Sequence, residues 1–303
     1  MSSPPLSLKR STSWTSPQSS QSWSPNTLKT RLLLNAKAIP YTEQYVSYPD
    51  IAPLLTSYGV LPNEKGYTFT LPAIYHPETV KDVGPGGQIM TESTAIAHHL
   101  DSLYPSSAVQ AFPEPKNEST VLWKEAEHHL RAIVFQQEEG KGYRLLMPQI
   151  PLILDDRGSE YFIRTRAETH PQHISPLQWG SPNPENDWSA IRPAVLAYLK
   201  YHESTRDAAV SAGRGGQGPF LWGDKVTMGD IYLVSVLVWF RSAGEEMLDR
   251  FLAIGEKDEP AGRKAEGEPV WEKSPVRAVW DAFGEKGWLE GVGEPREIPL
   301  KSA

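Results

Sequence analysis

The chain contains no cysteine. That excludes disulfides, thiolate metal sites and a cysteine nucleophile, and it suits a reducing compartment. Long apolar runs are also missing. The longest, Ile231 to Phe240, is about half of the ~20 residues a membrane-spanning helix needs, so it reads as a buried helix. There is no basic block, and the net charge of −7 argues against nucleic acid as the main partner. No acidic residue precedes Glu43, and residues 1–22 are rich in Ser, Thr and Pro. Transit peptides share that bias, but only Lys9 and Arg10 carry positive charge before Lys29. An unstructured start, or a poor first strand at Leu6-Ser7-Leu8, is the better reading.

What is present is more informative. With 303 residues the chain is long enough for one large or two ordinary domains and a sizeable core. Ten tryptophans and 27 prolines point to aromatic-lined space and extended loops. The segment Leu71-Pro72-Ala73-Ile74 reads as a short apolar strand with proline near its start. A glycine-rich turn (Gly84, Gly86, Gly87) follows, then a second strand, Gln88-Ile89-Met90, and then Thr91-Glu92-Ser93-Thr94-Ala95-Ile96 opening a helix. Proline in a strand loses a ladder hydrogen bond and belongs at an edge, a first position or a cis turn. A cis Pro72 leaves the backbone of Leu71 to pair with an extended, peptide-like ligand. Ser93 at a helix N-terminus favours a carboxylate. Together the two halves describe a site for a small peptide with a free acid at one end.

The remaining pattern supplies the frame. Ser24 to Lys37 predicts a helix, with Ser24 as N-cap accepting an N–H bond and Pro25 in the first turn. Leu28, Leu32 and Leu33 recur at helical spacing. Tyr45 to Tyr48 reads as a strand, and Leu71–Tyr75 with Gln88–Met90 as a hairpin. From Ser93 the residues Ile96, Ala97, Leu100, Leu103 and Tyr104 give one apolar helix face that Pro105 ends. Strand–helix–strand–helix–hairpin–helix is the thioredoxin arrangement. Residues 106–118 read as a linker. Further helices are predicted over Val121–Gln137, near Glu160–Glu168 within a proline-rich stretch of 148–188, over Ile191–Ala209, after Thr227, and over Val270–Trp288. Thr227 and Asp230 form a capping box with Val226 stapling to Ile231, a structural device. Residues 255–269 have the charge and glycine content of a mobile loop.

These motifs resemble the glutathione S-transferase family. Leu71-Pro72-Ala73-Ile74 with Thr91 to Ile96 is similar to its glutathione-binding half. The stretches Ser24–Arg31 and Leu34–Tyr41, Glu160–Arg166, Gly218–Asp224 and Thr227–Ile231 are similar to its serine/cysteine branch, in particular the fungal transferases related to bacterial β-etherases. The resemblance spans residues 22 to 245. It implies an α/β, thioredoxin-like N-terminal domain over 1–105, a linker at 106–118, an all-α domain with a hydrophobic co-substrate site over 119–290, and a tail over 291–303. By the same resemblance, Ser24 stands where the family keeps its active residue. Asn26 lends a second bond to the glutathione sulfur, Leu71 and Pro72 hold the backbone, Ser93 binds the γ-glutamyl carboxylate and Glu92 helps hold its amino group. The implied protein is a cytoplasmic, homodimeric transferase of detoxification type. Its co-substrate is glutathione, it uses no metal, and its partners are hydrophobic small molecules rather than nucleic acid or membrane. A non-catalytic carrier of apolar ligands and a glutathione-dependent isomerase are the alternatives.

Each feature has a plainer reading beside it. Ser24 on residue grounds alone is a helix cap, and Ser22 is a rival hydroxyl. A serine cannot form a mixed disulfide, so it favours conjugation or ether cleavage over thiol exchange. The pairs His98-His99 and His128-His129 invite a metal, but adjacent helical residues point about 100° apart and chelate poorly. Gly213-Arg214-Gly215-Gly216-Gln217-Gly218 fits a dinucleotide fingerprint literally, yet it follows a helix rather than a strand and reads as a loop. Tyr143, Arg144, Tyr161, Trp179, Trp239 and Arg241 are candidates for an apolar pocket, with core packing as good a reading for each.

Overall fold

A computed structural model describes residues 6–11, 22–75, 89–136, 141–169, 183–260, 262–264 and 266–292. The glycine turn at Gly84, Gly86 and Gly87, Gln88, Trp179 and the end of the chain from 293 lie outside the described residues.

The N-terminal part is a four-stranded sheet in the order β2-β1-β3-β4. Its strands are β1 (Leu6–Ser11), β2 (Tyr41–Val46), β3 (Ala73–Tyr75) and β4 (Ile89–Thr91). β1 pairs in parallel with β2 and antiparallel with β3, and β3 pairs antiparallel with β4. The first strand is therefore real, and it is central rather than peripheral. β2 lies a few residues earlier than the predicted Tyr45–Tyr48. The reason is visible in its pairing: Glu43 in the middle of β2 meets Arg31 at 3.4 Å, and both side chains are almost wholly buried. A strand whose buried face carries a charge does not show apolar alternation.

Helices α1 (Pro25–Ala36) and α3 (Ser93–Leu103) pack together, while α2 (Ile51–Ser57) caps a small apolar cluster with Leu71, Ala73 and Ile89. Lys37 after α1 reaches Asp101 of α3 at 2.9 Å and the carbonyl of Val109 at 2.8 Å. Asp101 in turn accepts from the N–H groups of Ala111 and Phe112, so the connection out of α3 is tied down by buried polar bonds.

The C-terminal part is helical: α4 (Lys116–Arg131) running into a π-helical turn at Ala132–Gln136, α5 (Lys141–Leu146), a 3-10 stretch at Met147–Ile153, α6 (Asp156–Thr169), α7 (Pro184–Ser211), α8 (Met228–Ser242), α9 (Glu245–Ala253) and α10 (Pro275–Glu285). α8 is the buried apolar run; α1, α4 and α9 pack against it. Asp230 accepts at 2.8 Å from both the N–H and the hydroxyl of Thr227, and at 2.9 Å from the N–H of Leu221.

Four sequence expectations need correction. α4 begins at Lys116, inside the predicted linker, and α10 is shorter than Val270–Trp288. α5 and α9 were not anticipated. Both ends of the stretch predicted as a mobile loop are held: the Arg192 guanidinium donates to Glu259 (2.6 and 2.9 Å) and to Glu268 (2.6 to 3.1 Å). The glycines around 213–218 serve close backbone approach. A Cβ on Gly215 would lie 2.1 Å from the carbonyl oxygen of Trp222, and one on Gly218 would lie 2.5 Å from that of Gly223.

Candidate active site

Strand register gathers the predicted residues. Ser11 at the end of β1 lies opposite Val46 at the end of β2. Lys9 lies opposite Ala73 at the start of β3, and Ala73 opposite Thr91 at the end of β4. One end of the sheet thus carries Leu71-Pro72 leading into β3, Glu92-Ser93 leading into α3, and Ser47-Tyr48 leaving β2, and the ring of Trp23, just before α1, lies 6.4 Å from that of Tyr48. Leu71, Pro72, Glu92 and Ser93 therefore share one end of the sheet.

The Leu71–Pro72 bond is cis, as the motif suggests, and Leu71 lies outside the paired register of β3. Glu92 precedes α3 with φ +70° and ψ 108°, a conformation that costs a non-glycine residue about 1–3 kcal/mol. Its carboxylate accepts a long hydrogen bond (3.4 Å) from the Thr70 hydroxyl. Ser93 is buried at the first position of α3, and Glu92 at the N-cap makes no side-chain capping bond. The N–H groups of its first turn and the positive end of its dipole are thus available to an anion.

Ser24 differs from expectation in a useful way. It occupies the N-cap of α1 with extended backbone, but its hydroxyl makes no capping bond. Its carbonyl does the local work, accepting from the Leu28 N–H at 2.9 Å and the Thr27 hydroxyl at 2.9 Å. The rival Ser22 is completely enclosed, with a hydroxyl that finds no partner, whereas Ser24 is only half-buried. Asn26 is exposed on the first turn of α1. Of the two serines, Ser24 is the one a ligand can reach.

Beside Ser24 the sheet end meets aromatic residues of the helical part. Trp23 lies 6.0 Å from Phe162, 6.1 Å from Trp239 and 6.4 Å from Tyr48, centroid to centroid. Tyr48 stacks on Tyr161 at 6.2 Å, and Phe135, 40 % exposed, lies 6.2 Å from Trp239 and 5.9 Å from Tyr143. Burial pushes the Tyr143 phenol up to about 12, against the opposing pull of Arg166. Tyr143, Tyr161 and Trp239 thus belong to this aromatic wall. Arg144 and Arg241 do not: Arg144 pairs with Asp187 at 3.3 Å, and Arg241 donates to the carbonyl of Val292 at 3.0 Å. Trp23, Tyr48, Phe135, Phe162 and Arg166 escaped the sequence reading. Phe162 and Arg166 lie inside the Glu160–Arg166 motif, which was the available signal.

Beneath the site, Lys29 of α1 is buried with its ammonium 4.6 Å from the Tyr232 ring and 5.6 Å from that of Trp123. Burial lowers its pKa to about 8, with Glu127 and Glu92 opposing and Arg131 reinforcing the shift. The histidines have packing roles: His98 stacks on Phe112 at 3.9 Å and His129 on Tyr201 at 4.5 Å. Among the described residues, no three metal-ligating side chains converge, and no helix is long and apolar enough to cross a membrane.

Comparison with known proteins agrees with this fold. Residues 23–103 match the glutathione S-transferase N-terminal domain, and residues 128–256 match the C-terminal domain of the same family. The glutathione S-transferase-like protein ustS of Aspergillus flavus is 37% identical over 287 residues, covering 93% of this chain and 91% of that one. Among solved structures, glutathione transferase GSTFuA3 of Phanerochaete chrysosporium superposes with a TM-score of 0.68 at 25% identity, covering 99% of this chain and all of that one. A glutathione S-transferase of Ceriporiopsis subvermispora, solved in complex with glutathione, gives a TM-score of 0.64 at 24% identity, over 99% and 100% of the two chains. The chain belongs to the glutathione S-transferase family, which makes it a glutathione-dependent transferase with a thioredoxin-like domain and a helical domain.

Proposed function

We propose that Ser24 activates the thiol of glutathione for attack on an apolar electrophile lodged against the accessible edge of the aromatic wall, at Tyr48, Tyr161 and Phe135. The observation that carries this reading is the uncommitted Ser24 hydroxyl at the head of α1, next in the chain to Trp23, whose ring packs on Phe162 and Trp239 of the helical part. Ser93 and the head of α3 receive the γ-glutamyl carboxylate, Glu92 holds the amino group, and the backbone at Leu71 pairs with the extended peptide. Ser24 donates to the sulfur and favours its anionic form; Asn26 supplies a second bond from the first turn of α1. Glutathione supplies the nucleophile: a carbon–sulfur bond forms, the bond to a halide or aryloxide breaks with its electron pair, and the thiol proton goes to solvent. On the family resemblance we place the protein in the cytoplasm as a homodimer handling hydrophobic electrophiles. The linker between its domains lies within 106–118, shortened by the early start of α4.

The test has two arms. Retention on immobilised glutathione is expected for the wild type and is expected to fail with Glu92 and Ser93 both changed to alanine. Conjugation and aryl ether cleavage are then compared between wild type and Ser24→Ala. Equal rates would remove Ser24 from the chemistry and leave a carrier of apolar ligands in its place.

A further inference from the structure

The segment that leaves β2 is pinned by the helical domain on both sides of Tyr48. Ser47 heads a 3-10 turn over Tyr48–Asp50 but makes no capping bond to it. Its hydroxyl donates instead across the domain boundary to Oδ1 of Asp155, at 3.0 Å, and both residues are buried. Beyond Tyr48, the Asp50 carboxylate accepts from the Arg157 guanidinium through two bonds, of 3.0 and 2.8 Å. That second pair is exposed, so it contributes orientation more than energy.

Asp155 uses one oxygen for two purposes. It precedes α6, and the Oδ1 that holds Ser47 also accepts from the Gly158 N–H in the first turn of that helix, the bond of an N-cap. The head of α6 and the exit of β2 are therefore fastened through the same atom. Between the two pins lies the Tyr48 ring. It stacks on Tyr161 with 20° between planes, meets Phe162 edge-on at 5.6 Å and lies 6.4 Å from Trp23, the neighbour of Ser24. A tyrosine at a domain junction keeps its ring in place only while the backbone beneath it is fixed. Without the Ser47 donor the buried carboxylate is short of a partner on that side, and any shift of Ser47 passes directly to Tyr48.

We propose that Asp155 is a positioning residue for the co-substrate half of the active site. By holding Ser47 it sets the Tyr48 ring against Tyr161 and Trp23, and with it the surface on which an aromatic electrophile lies. This rests on reading the accessible edge at Tyr48 and Tyr161 as the co-substrate site.

The experiment compares the affinity of the full chain for S-(2,4-dinitrophenyl)glutathione and for S-methylglutathione by isothermal titration calorimetry, which needs no turnover. The ratio of the two affinities isolates what the aryl group gains, and a purely structural loss would leave that ratio unmoved. Wild type is expected to favour the aryl conjugate. Ser47→Ala, which leaves the carboxylate to cap α6, is expected to lower the ratio roughly tenfold, the worth of one hydrogen bond to a charged acceptor, with S-methylglutathione affinity within about twofold. Asp155→Ala should do the same and Asp155→Asn, which keeps an accepting oxygen, should retain most of the ratio. The Ser47→Ala, Asp155→Ala double variant should fall no further than Asp155→Ala alone. A ratio unchanged in Ser47→Ala overturns the proposal even if Asp155→Ala fails to fold. So does a wild type that binds S-methylglutathione and gains nothing from the aryl group, which leaves the glutathione site standing. A wild type that binds neither conjugate removes the glutathione reading and this proposal with it.

Discussion

The indole of Trp23 stands edge-on to the ring of Phe162, with 6.0 Å between centroids and 87° between planes. Trp23 immediately precedes Ser24, while Phe162 sits fully buried on α6 of the helical domain. The position of Ser24 is therefore set partly by the helical domain. Phe162→Ala removes a wholly enclosed ring and should cost about 3–5 kcal/mol of stability, against under about 1.5 kcal/mol for Phe162→Leu. Urea unfolding gives the first number. The KM for an apolar co-substrate should rise in the alanine variant even where the protein remains folded.

Ser24→Ala should lower kcat/KM for conjugation by roughly 10- to 150-fold, the value of one hydrogen bond to a charged acceptor. The pH–rate profile is the sharper readout. If Ser24 stabilises the thiolate, the apparent pKa of the reaction lies below the free-thiol value of about 8.5 in wild type and moves toward it in the variant. A profile that does not move would show that the hydroxyl plays no part in ionising the sulfur. The KM for glutathione should change little on the proposal that Ser93 and Glu92 hold the other end.

Glu92 is held at φ +70°, where glycine is at ease and glutamate is not. Glu92→Gly should therefore raise thermal stability by an amount corresponding to about 1 kcal/mol or more, and the same change should weaken glutathione retention. A variant that gains stability and keeps full retention would mean the strained backbone has no bearing on the ligand.

Lys29 gives a pH signature. Its folded pKa is lowered to about 8, mainly by burial, while the unfolded chain keeps a value near 10.5. Between these values the unfolded state binds more protons, so stability should rise as pH increases from about 8 to 10.5. Below pH 8 the ammonium is charged in both states and its burial remains a full penalty. The Tyr232 and Trp123 rings offset part of that penalty by favouring the cation. Lys29→Met should flatten the dependence in this window and stabilise the protein at pH 7, as followed by urea midpoints across the range.

The sequence carried the local geometry of the candidate site more clearly than the scaffold. Pro72 and the Glu92-Ser93 pair were legible because each has a local conformational meaning: a proline at a strand entrance, and polar residues at a helix head. The thioredoxin order was legible from α1, the hairpin and α3. β1 was barely legible, because Leu6–Ser11 is mostly polar although it is central in the sheet. β2 was misplaced because the Arg31–Glu43 pair puts a charge where alternation requires an apolar side chain. Arg166 could not be told from its neighbours at all. Arg164 and Arg166 are equivalent in composition, and only packing assigns one to Glu160 and the other to a cluster of rings.

Asp230 offers the opposite case, a role readable in full from spacing. Its two oxygens accept from Thr227 (N–H and hydroxyl) and from the N–H of Leu221, and the residue is completely buried beneath His202, whose Nε2 lies 3.6 Å away. Asp230→Ala strands these donors in a region without water. The cost should therefore exceed the ~1 kcal/mol of an ordinary lost cap, reaching about 3 kcal/mol or more. Asp230→Asn, which keeps one accepting oxygen, should fall between the two. Because α8 packs on α1, the loss should appear as a cooperative fall in the unfolding midpoint of the whole chain rather than as separate melting of the helical domain. In the Asn variant, which should stay folded at 25 °C, kcat/KM should remain at the wild-type value. A drop in turnover without a drop in stability would instead assign Asp230 to the chemistry.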